Sequence, residues 1–100
     1  MDIRDDGATL VLCGSFDGRS TSEVRMALQA RLEDAENEVV VDLSGVAWVD
    51  VPALRVLAYA SHAASRTGHR VTLRGCPPHV LRMLHLTRLM RFVEVDREAA

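Results

Sequence analysis

The sequence predicts an α/β fold: a mixed, mostly parallel β-sheet with an N-terminal antiparallel hairpin, in the order β-β-α-β-α-β-α-β. Three observations carry this prediction. Short β-branched runs alternate with amphipathic helical segments, which is typical of a parallel sheet with right-handed crossovers. An Asp6-Gly7 dipeptide separates the first two runs, and Asp-Gly favours a tight hairpin turn. The 100 residues contain no linker, so we expect a single domain over residues 1–100.

The first half of the chain is predicted to hold the hairpin, one helix and one strand. The hairpin strands cover about residues 2–5 and 8–13. Ser20 followed three residues later by Glu23 forms a capping box, which predicts a helix over 21–34. The nearly continuous β-branched run 39–43 predicts a central strand covered on both faces, which the Ser44-Gly45 pair ends.

The second half is predicted to contain two helices and two strands. Pro52 is expected to begin a helix, because proline is tolerated in the first helical turn, and Thr67-Gly68 to end it. Asp50 then lies close to the positive end of that helix. A strand over 70–73, a helix over 79–86 and a last strand over 91–95 complete the order.

The apolar positions of these elements predict the core, and Trp48 is expected to pack in it or at its edge. The predicted core residues are Leu10, Leu12, Val24, Leu28, Leu32, Val39, Val41, Leu43, Leu54, Leu57, Val71, Leu73, Leu81, Leu84, Leu89 and Phe92.

Composition excludes several classes of partner. The formal net charge of −2 and an aromatic content of 4% give neither the basic surface nor the stacking side chains of a nucleic-acid binder. No stretch approaches 18 apolar residues, and the start of the chain is acidic rather than signal-like. We therefore expect a cytoplasmic protein with neither nucleic acid nor membrane as a partner.

No motif of an enzyme is present. Nucleophile-elbow, phosphate-loop, dinucleotide and zinc-protease patterns are all missing, and the four histidines follow no ligand spacing. Cys13 and Cys76 lie 63 positions apart without a CxxC pair, which disfavours a disulfide in the cytoplasm. We expect no catalysis, cofactor or metal, while the redox activity of the two cysteines stays open.

Three further segments follow one another along the chain: Leu12-Cys13-Gly14-Ser15-Phe16-Asp17, the run from Val39 to Val46 leading into Val49-Asp50, and Leu86-Thr87-Arg88-Leu89-Met90-Arg91-Phe92. In this order and spacing they resemble the STAS domain family, the anti-sigma factor antagonists of bacteria. The resemblance extends over residues 8–95 and implies the STAS fold.

The resemblance also implies a signature loop, in which Asp is followed by Ser-Ser-Gly-Leu and a partner kinase phosphorylates the second Ser. Asp50 and Leu54 match this pattern. Val51 and Pro52 stand in place of the two serines, and Ala53 in place of the glycine. Because proline has no hydroxyl, the usual phosphorylation is not expected at position 52.

The implied function is that of a non-enzymatic regulator that binds an anti-sigma factor of the serine-kinase type. The expected contact surface consists of Phe16, Asp17, Asp50, Val51, Pro52, Ala53 and Arg55. Phe16 and Val51 are either apolar anchors of that surface or core residues, and the two aspartates either pair with basic groups or cap N–H donors. The alternative function is a STAS-fold scaffold, or a subunit of a transporter or sensory assembly, with a different partner. The identity of the partner, the oligomeric state and the consequence of losing the phosphoacceptor stay open.

Overall fold

The computed structural model describes residues 1–34 and 38–96. The described strands are β1 (Asp2–Asp6), β2 (Thr9–Phe16), β3 (Glu38–Val49), β4 (Arg70–Arg74) and β5 (Glu94–Asp96). The described helices are α1 (Thr21–Asp34), α2 (Val51–Ser65), α3 (Pro78–Leu86) and a 3₁₀ helix (Leu89–Phe92).

The five strands form one sheet in the order β1-β2-β3-β4-β5. Strand β1 is antiparallel to β2, and all other neighbours are parallel. Asp6 pairs with Thr9, so the hairpin loop consists of Gly7 and Ala8, one residue beyond the expected Asp6-Gly7 position. Gly7 has a φ of 63°, which glycine adopts without the penalty of a side chain. The predicted fold class is confirmed.

Strand β3 is longer than predicted, because Ser44-Gly45 does not end it. The strand continues beside β2 to the pair Phe16 and Val49, through two register shifts. A Cβ on Gly45 would lie 2.6 Å from the Cys13 sulfur, so any other residue at this position would require the Cys13 side chain to shift. The glycine therefore permits a close approach of two strands within the sheet, rather than a turn.

In the described part of the chain, one face of β3 is buried and the other is half-buried or exposed, which corrects the expectation of a strand buried on both faces. Along β3, Val39, Val41 and Leu43 are buried, whereas Val40 and Asp42 are only half-buried. The buried side faces α1 and α2, which also contact each other. The opposite face carries charged side chains in mutual ion pairs.

The chain between α3 and β5 differs from the predicted strand over 91–95. Arg88 has a φ of 61°, a left-handed conformation that ends the helical turn after α3. The 3₁₀ helix follows, and pairing with β4 begins only at Glu94. The β-branched residues here do not extend the strand, because residues 89–92 still form helical backbone and only Glu94 reaches the edge of β4.

The core contains most of the predicted residues, with Leu32, Leu81 and Phe92 only half-buried. Phe16, for which the core was one of two alternatives, is buried. Several further small or strand-end residues are buried that were not in the predicted core: Val46, Val49, Ala53, Ala58, Ala64 and Val80.

Candidate functional site

The candidate site lies where β2 and β3 end side by side and lead into α1 and α2. Phe16 pairs with Val49 at this edge of the sheet. The carboxyl ends of parallel strands are the usual position of binding sites in α/β folds, because the loops there are held by rigid elements. The two loops, Asp17–Ser20 and Asp50, meet at this edge.

Asp50 joins the two loops with both of its carboxylate oxygens. One oxygen accepts the backbone N–H of Ala53 at 2.8 Å, which caps the N-terminus of α2. The other accepts the backbone N–H of Gly18 at 3.2 Å, across 32 residues of sequence. The backbone N–H of Asp50 also donates to the Phe16 carbonyl at 3.2 Å. Of the two roles left open for this aspartate, the structure assigns the capping of N–H donors.

Asp17 is occupied within its own loop. Its carboxylate accepts the Arg19 guanidinium at 3.2 Å and the Arg19 backbone N–H at 2.9 Å. These two hydrogen bonds hold the pKa of Asp17 below its ordinary value. Together with the Thr21 hydroxyl, which donates to the Gly18 carbonyl at 3.0 Å, they close the turn before α1. Among the described hydrogen bonds, these replace the expected Ser20–Glu23 capping box.

Phe16 and Ala53 do not present side chains on this surface. Phe16 is 1% exposed and Ala53 is 0% exposed, and both belong to the hydrophobic core. For Phe16 this favours the core over the apolar anchor, the two alternatives that the sequence left open, and for Ala53 it corrects the expectation of an accessible contact residue. The reason is local: Phe16 ends an inward-facing series on β2, and Ala53 starts the inward-facing stripe of α2.

Pro52 and Arg55 are exposed, and Val51 is half-buried. Pro52 lies in the first turn of α2, where its missing N–H leaves no helical hydrogen bond unmade. The half-buried or exposed part of the predicted set is therefore Asp17, Asp50, Val51, Pro52 and Arg55, of which Asp50 is engaged in capping α2.

Trp48 is the residue of this region that sequence reasoning missed. It was expected in the core, but its side chain is 52% exposed. The register shifts in β3 turn Val46 and Val49 inward, and this leaves Ala47 and Trp48 outside. The spacing of three between the two valines was the available signal, since a regular strand would have buried every second residue.

The histidines and cysteines form no further site among the described residues. Within residues 1–34 and 38–96, no three His, Cys, Asp or Glu side chains are grouped as metal ligands. Cys13 and Cys76 are both half-buried, and no disulfide joins them.

Comparison with known families identifies this architecture. A family model described as "Mlab, STAS domain" matches residues 1–94. The chain belongs to the STAS domain family, as its motifs suggested. No curated protein sequence is significantly similar to the chain.

Solved structures match the fold. A Thermotoga maritima protein proposed to be an anti-sigma factor antagonist has a TM-score of 0.74 at 20% identity, covering 98% of this chain and 87% of that one. An anti-sigma factor antagonist from Mycobacterium paratuberculosis has a TM-score of 0.71 at 22% identity, covering 97% and 84%. The murine solute carrier 26 family member A9 anion transporter has a TM-score of 0.68 at 17% identity, covering 83% of this chain but 14% of the transporter. In the described part of this chain, no helix has the length and apolar character needed to cross a membrane.

Proposed function

We propose that this STAS domain is a non-enzymatic regulator that binds an anti-sigma factor of the serine-kinase type. Binding would use the surface formed by Asp17, Trp48, Val51, Pro52 and Arg55, here called the α2 N-terminal surface. The observation that carries the proposal is the exposed Trp48 two residues before Asp50, the residue that caps α2 and ties the two loops together.

Two physical features favour docking at this surface. Exposed tryptophan is enriched among the residues that dominate binding energy, because it buries a large area at low entropic cost. The surrounding backbone is already ordered by the two Asp50 hydrogen bonds and by Pro52, so little conformational entropy remains to be lost on binding.

The identity of residue 52 sets this chain apart within the proposed function. A phosphate at an exposed position of a helix N-terminus would add about −1.5 to −2 charges to the docking surface. Pro52 has no hydroxyl and is exposed at that position. We therefore propose an antagonist that the partner kinase does not switch off at residue 52.

A second candidate function is supported by the match to a transporter. The STAS-like part of the murine anion transporter shares this fold within a much larger chain. This favours the alternative of a STAS unit that docks onto a transporter or sensory assembly. The two functions differ in partner, not in the surface proposed to be used.

Calorimetry with each anti-sigma-type ATPase of the source genome, in ADP and then in ATP, tests the first function. Trp48→Ala is expected to weaken binding by about 2 kcal/mol, the magnitude typical of a binding hot spot. Met26→Ala is the matched control, because Met26 is a large apolar residue on α1 that is 73% exposed and is not one of the residues of the proposed surface. Equal affinities of the two variants would reject the surface, and no binding to any ATPase would leave the assembly function.

The variant Pro52→Ser tests the missing hydroxyl directly. We expect it to bind the same ATPase as the original chain and to gain phosphorylation in ATP, while the original chain gains none. Phosphorylation of the original chain at another hydroxyl, with loss of binding, would contradict an unswitched antagonist.

A further inference from the structure

Charge is segregated along this sequence. No Asp or Glu occurs between positions 51 and 93, although the chain contains 14 acidic residues. The same stretch holds all four histidines and the arginines Arg55, Arg66, Arg70, Arg74, Arg82, Arg88 and Arg91. A net charge of −2 therefore conceals a basic half, and the structure decides where its charges lie.

Two of these arginines are neutralised on the open face of the sheet. Arg70 pairs with Glu38 and Glu94, and Arg74 pairs with Asp42 at 3.5 Å. Within residues 1–34 and 38–96, no acidic partner is found for Arg55, Arg66 or Arg91. These three charges face solvent.

The unpaired charges share one side of α2. Arg55, Tyr59, His62 and Arg66 follow at spacings of four, three and four, which places them along one helical face. Phe92 of the 3₁₀ helix packs against this row, with its ring centroid 5.4 Å from Tyr59 and 5.2 Å from His62. The Arg91 guanidinium lies 4.8 Å above the Phe92 ring. These six residues form a continuous surface, here called the basic α2 face.

Helix stability does not account for all of this arrangement. A cation near the C-terminus of a helix is favoured by the helix dipole, which suits His62 and Arg66. Arg55 lies near the opposite, positive end, where a cation is disfavoured. Tyr59 remains 51% exposed although it touches Phe92. Arginine and tyrosine are residues enriched at protein interfaces, where guanidinium groups pair with carboxylates in a bidentate manner.

We propose that the basic α2 face docks an acidic surface of a protein partner. The inference extends the proposed function, because the face continues from the α2 N-terminal surface through Arg55, and it assigns the partner its charge. A protein is favoured over nucleic acid because the other half of this domain is acidic. The carboxylates of Asp6 on β1 and of Glu23 and Glu33 on α1 are exposed and form no ion pair among the described residues, so they would repel a rigid DNA duplex long enough to span both halves. A compact acidic patch meets only the basic face.

The test uses charge reversal outside the α2 N-terminal surface. Arg66→Glu/Arg91→Glu is compared with Arg4→Glu/Arg25→Glu, which changes the net charge equally but alters exposed arginines on β1 and α1. Circular dichroism and thermal unfolding verify that both variants fold. The probes are the ATPase identified above, poly-L-glutamate and random-sequence double-stranded DNA.

We expect Arg66→Glu/Arg91→Glu to bind the ATPase about tenfold or more weakly than the control variant, chiefly because it associates more slowly. The difference in association rate between the two variants should decrease as the salt concentration rises. It should also lose binding to poly-L-glutamate. The proposal would be overturned if the two variants bound the ATPase with equal affinity and also bound poly-L-glutamate with equal affinity. Tighter binding of DNA than of poly-L-glutamate at the same salt concentration would overturn it as well.

The two proposals can fail separately. ATPase binding that requires Trp48 but is indifferent to Arg66 and Arg91 would keep the function and reject the basic face. Arginine-dependent binding of poly-L-glutamate, with no ATPase bound, would keep the face and reject the function.

Discussion

The basic α2 face and the open face of the sheet carry similar numbers of charges but use them differently. On the sheet, Arg70 pairs with Glu38 and Glu94, and Arg74 pairs with Asp42. On α2, Arg55 and Arg66 face solvent without such partners in the described part of the chain. Charges that are satisfied within the fold have little left to offer a partner, whereas unpaired charges beside exposed aromatic rings do.

The same contrast separates neighbouring positions at the start of α2. Pro52 is exposed, but Ala53 is buried against the core. The resemblance to the STAS family led us to expect both in one docking patch. In the structure a partner can contact Pro52, whereas Ala53 contributes only to the packing of the core.

The largest expected effect is that of Ala53→Glu. A carboxylate at this buried position would have no partner, so we expect a loss of about 3–5 kcal/mol in the free energy of unfolding, or failure to fold. Denaturant unfolding measures it. Pro52→Glu is the matched control, one residue away, and should leave stability nearly unchanged, because an acid is tolerated near a helix N-terminus. Similar stabilities of the two variants would mean that position 53 is not enclosed as described.

Next in size is Asp50→Ala. It removes both the cap of α2 and the hydrogen bond to Gly18, and we expect a loss of about 1–2 kcal/mol. The loosened loops should also weaken partner binding. Asp50→Asn separates the two contributions. Its single amide oxygen can still accept the N–H of Ala53, whereas the NH2 group that replaces the second oxygen cannot accept the N–H of Gly18. If Asp50→Asn were as stable as the original chain, the bond to Gly18 would contribute nothing.

Most of the fold was predictable because local sequence and tertiary structure agree. The hairpin glycine, the buried Val24 and Leu28 four residues apart on α1, and the proline at the start of α2 each indicate their own element. Strand β3 and the region 91–95 were mispredicted for a shared reason. Gly45 permits the close approach of Cys13, and the left-handed Arg88 turns the chain out of the helical layer. Both features depend on contacts between distant segments, so the sequence of one segment does not indicate them.

The candidate site was less predictable than the fold. The resemblance located the loop through Asp50, but burial at this edge depends on the register shifts between β2 and β3. Those shifts turn Trp48 outward and place Val49 inside. Ala53 was misplaced, and Phe16 could not be assigned to surface or core, because neighbouring elements determine where a strand or helix meets the core.

A smaller effect is expected from acid on the sheet face. Burial raises the pKa of Asp42, but the hydroxyl and N–H of Ser44 and the charge of Arg74 outweigh it, so the pKa lies below its ordinary value of 3.8. Because the folded state lowers this pKa, its stabilising contribution is present above pH 3.8 and is lost as the pH falls further. The melting temperature should therefore fall less with decreasing pH for Asp42→Asn than for the original chain. Identical pH profiles would show that the Ser44 contacts do not persist in solution.

The smallest effect is predicted for Arg70→Ala, although Arg70 contacts two carboxylates. The pKa of Arg70 is raised and that of Glu94 is lowered, in both cases chiefly by the hydrogen bond between them. Both side chains remain largely exposed, and exposed ion pairs are weakened by water and by salt. We expect a small decrease in melting temperature at low salt that disappears at high salt. Arg66→Ala, which breaks no ion pair among the described residues, should show no such salt dependence. A salt-dependent decrease of equal size in both variants would mean that the sheet face is no better paired than α2, and the distinction between a self-neutralised face and a docking face would then rest on Tyr59 and Phe92 alone.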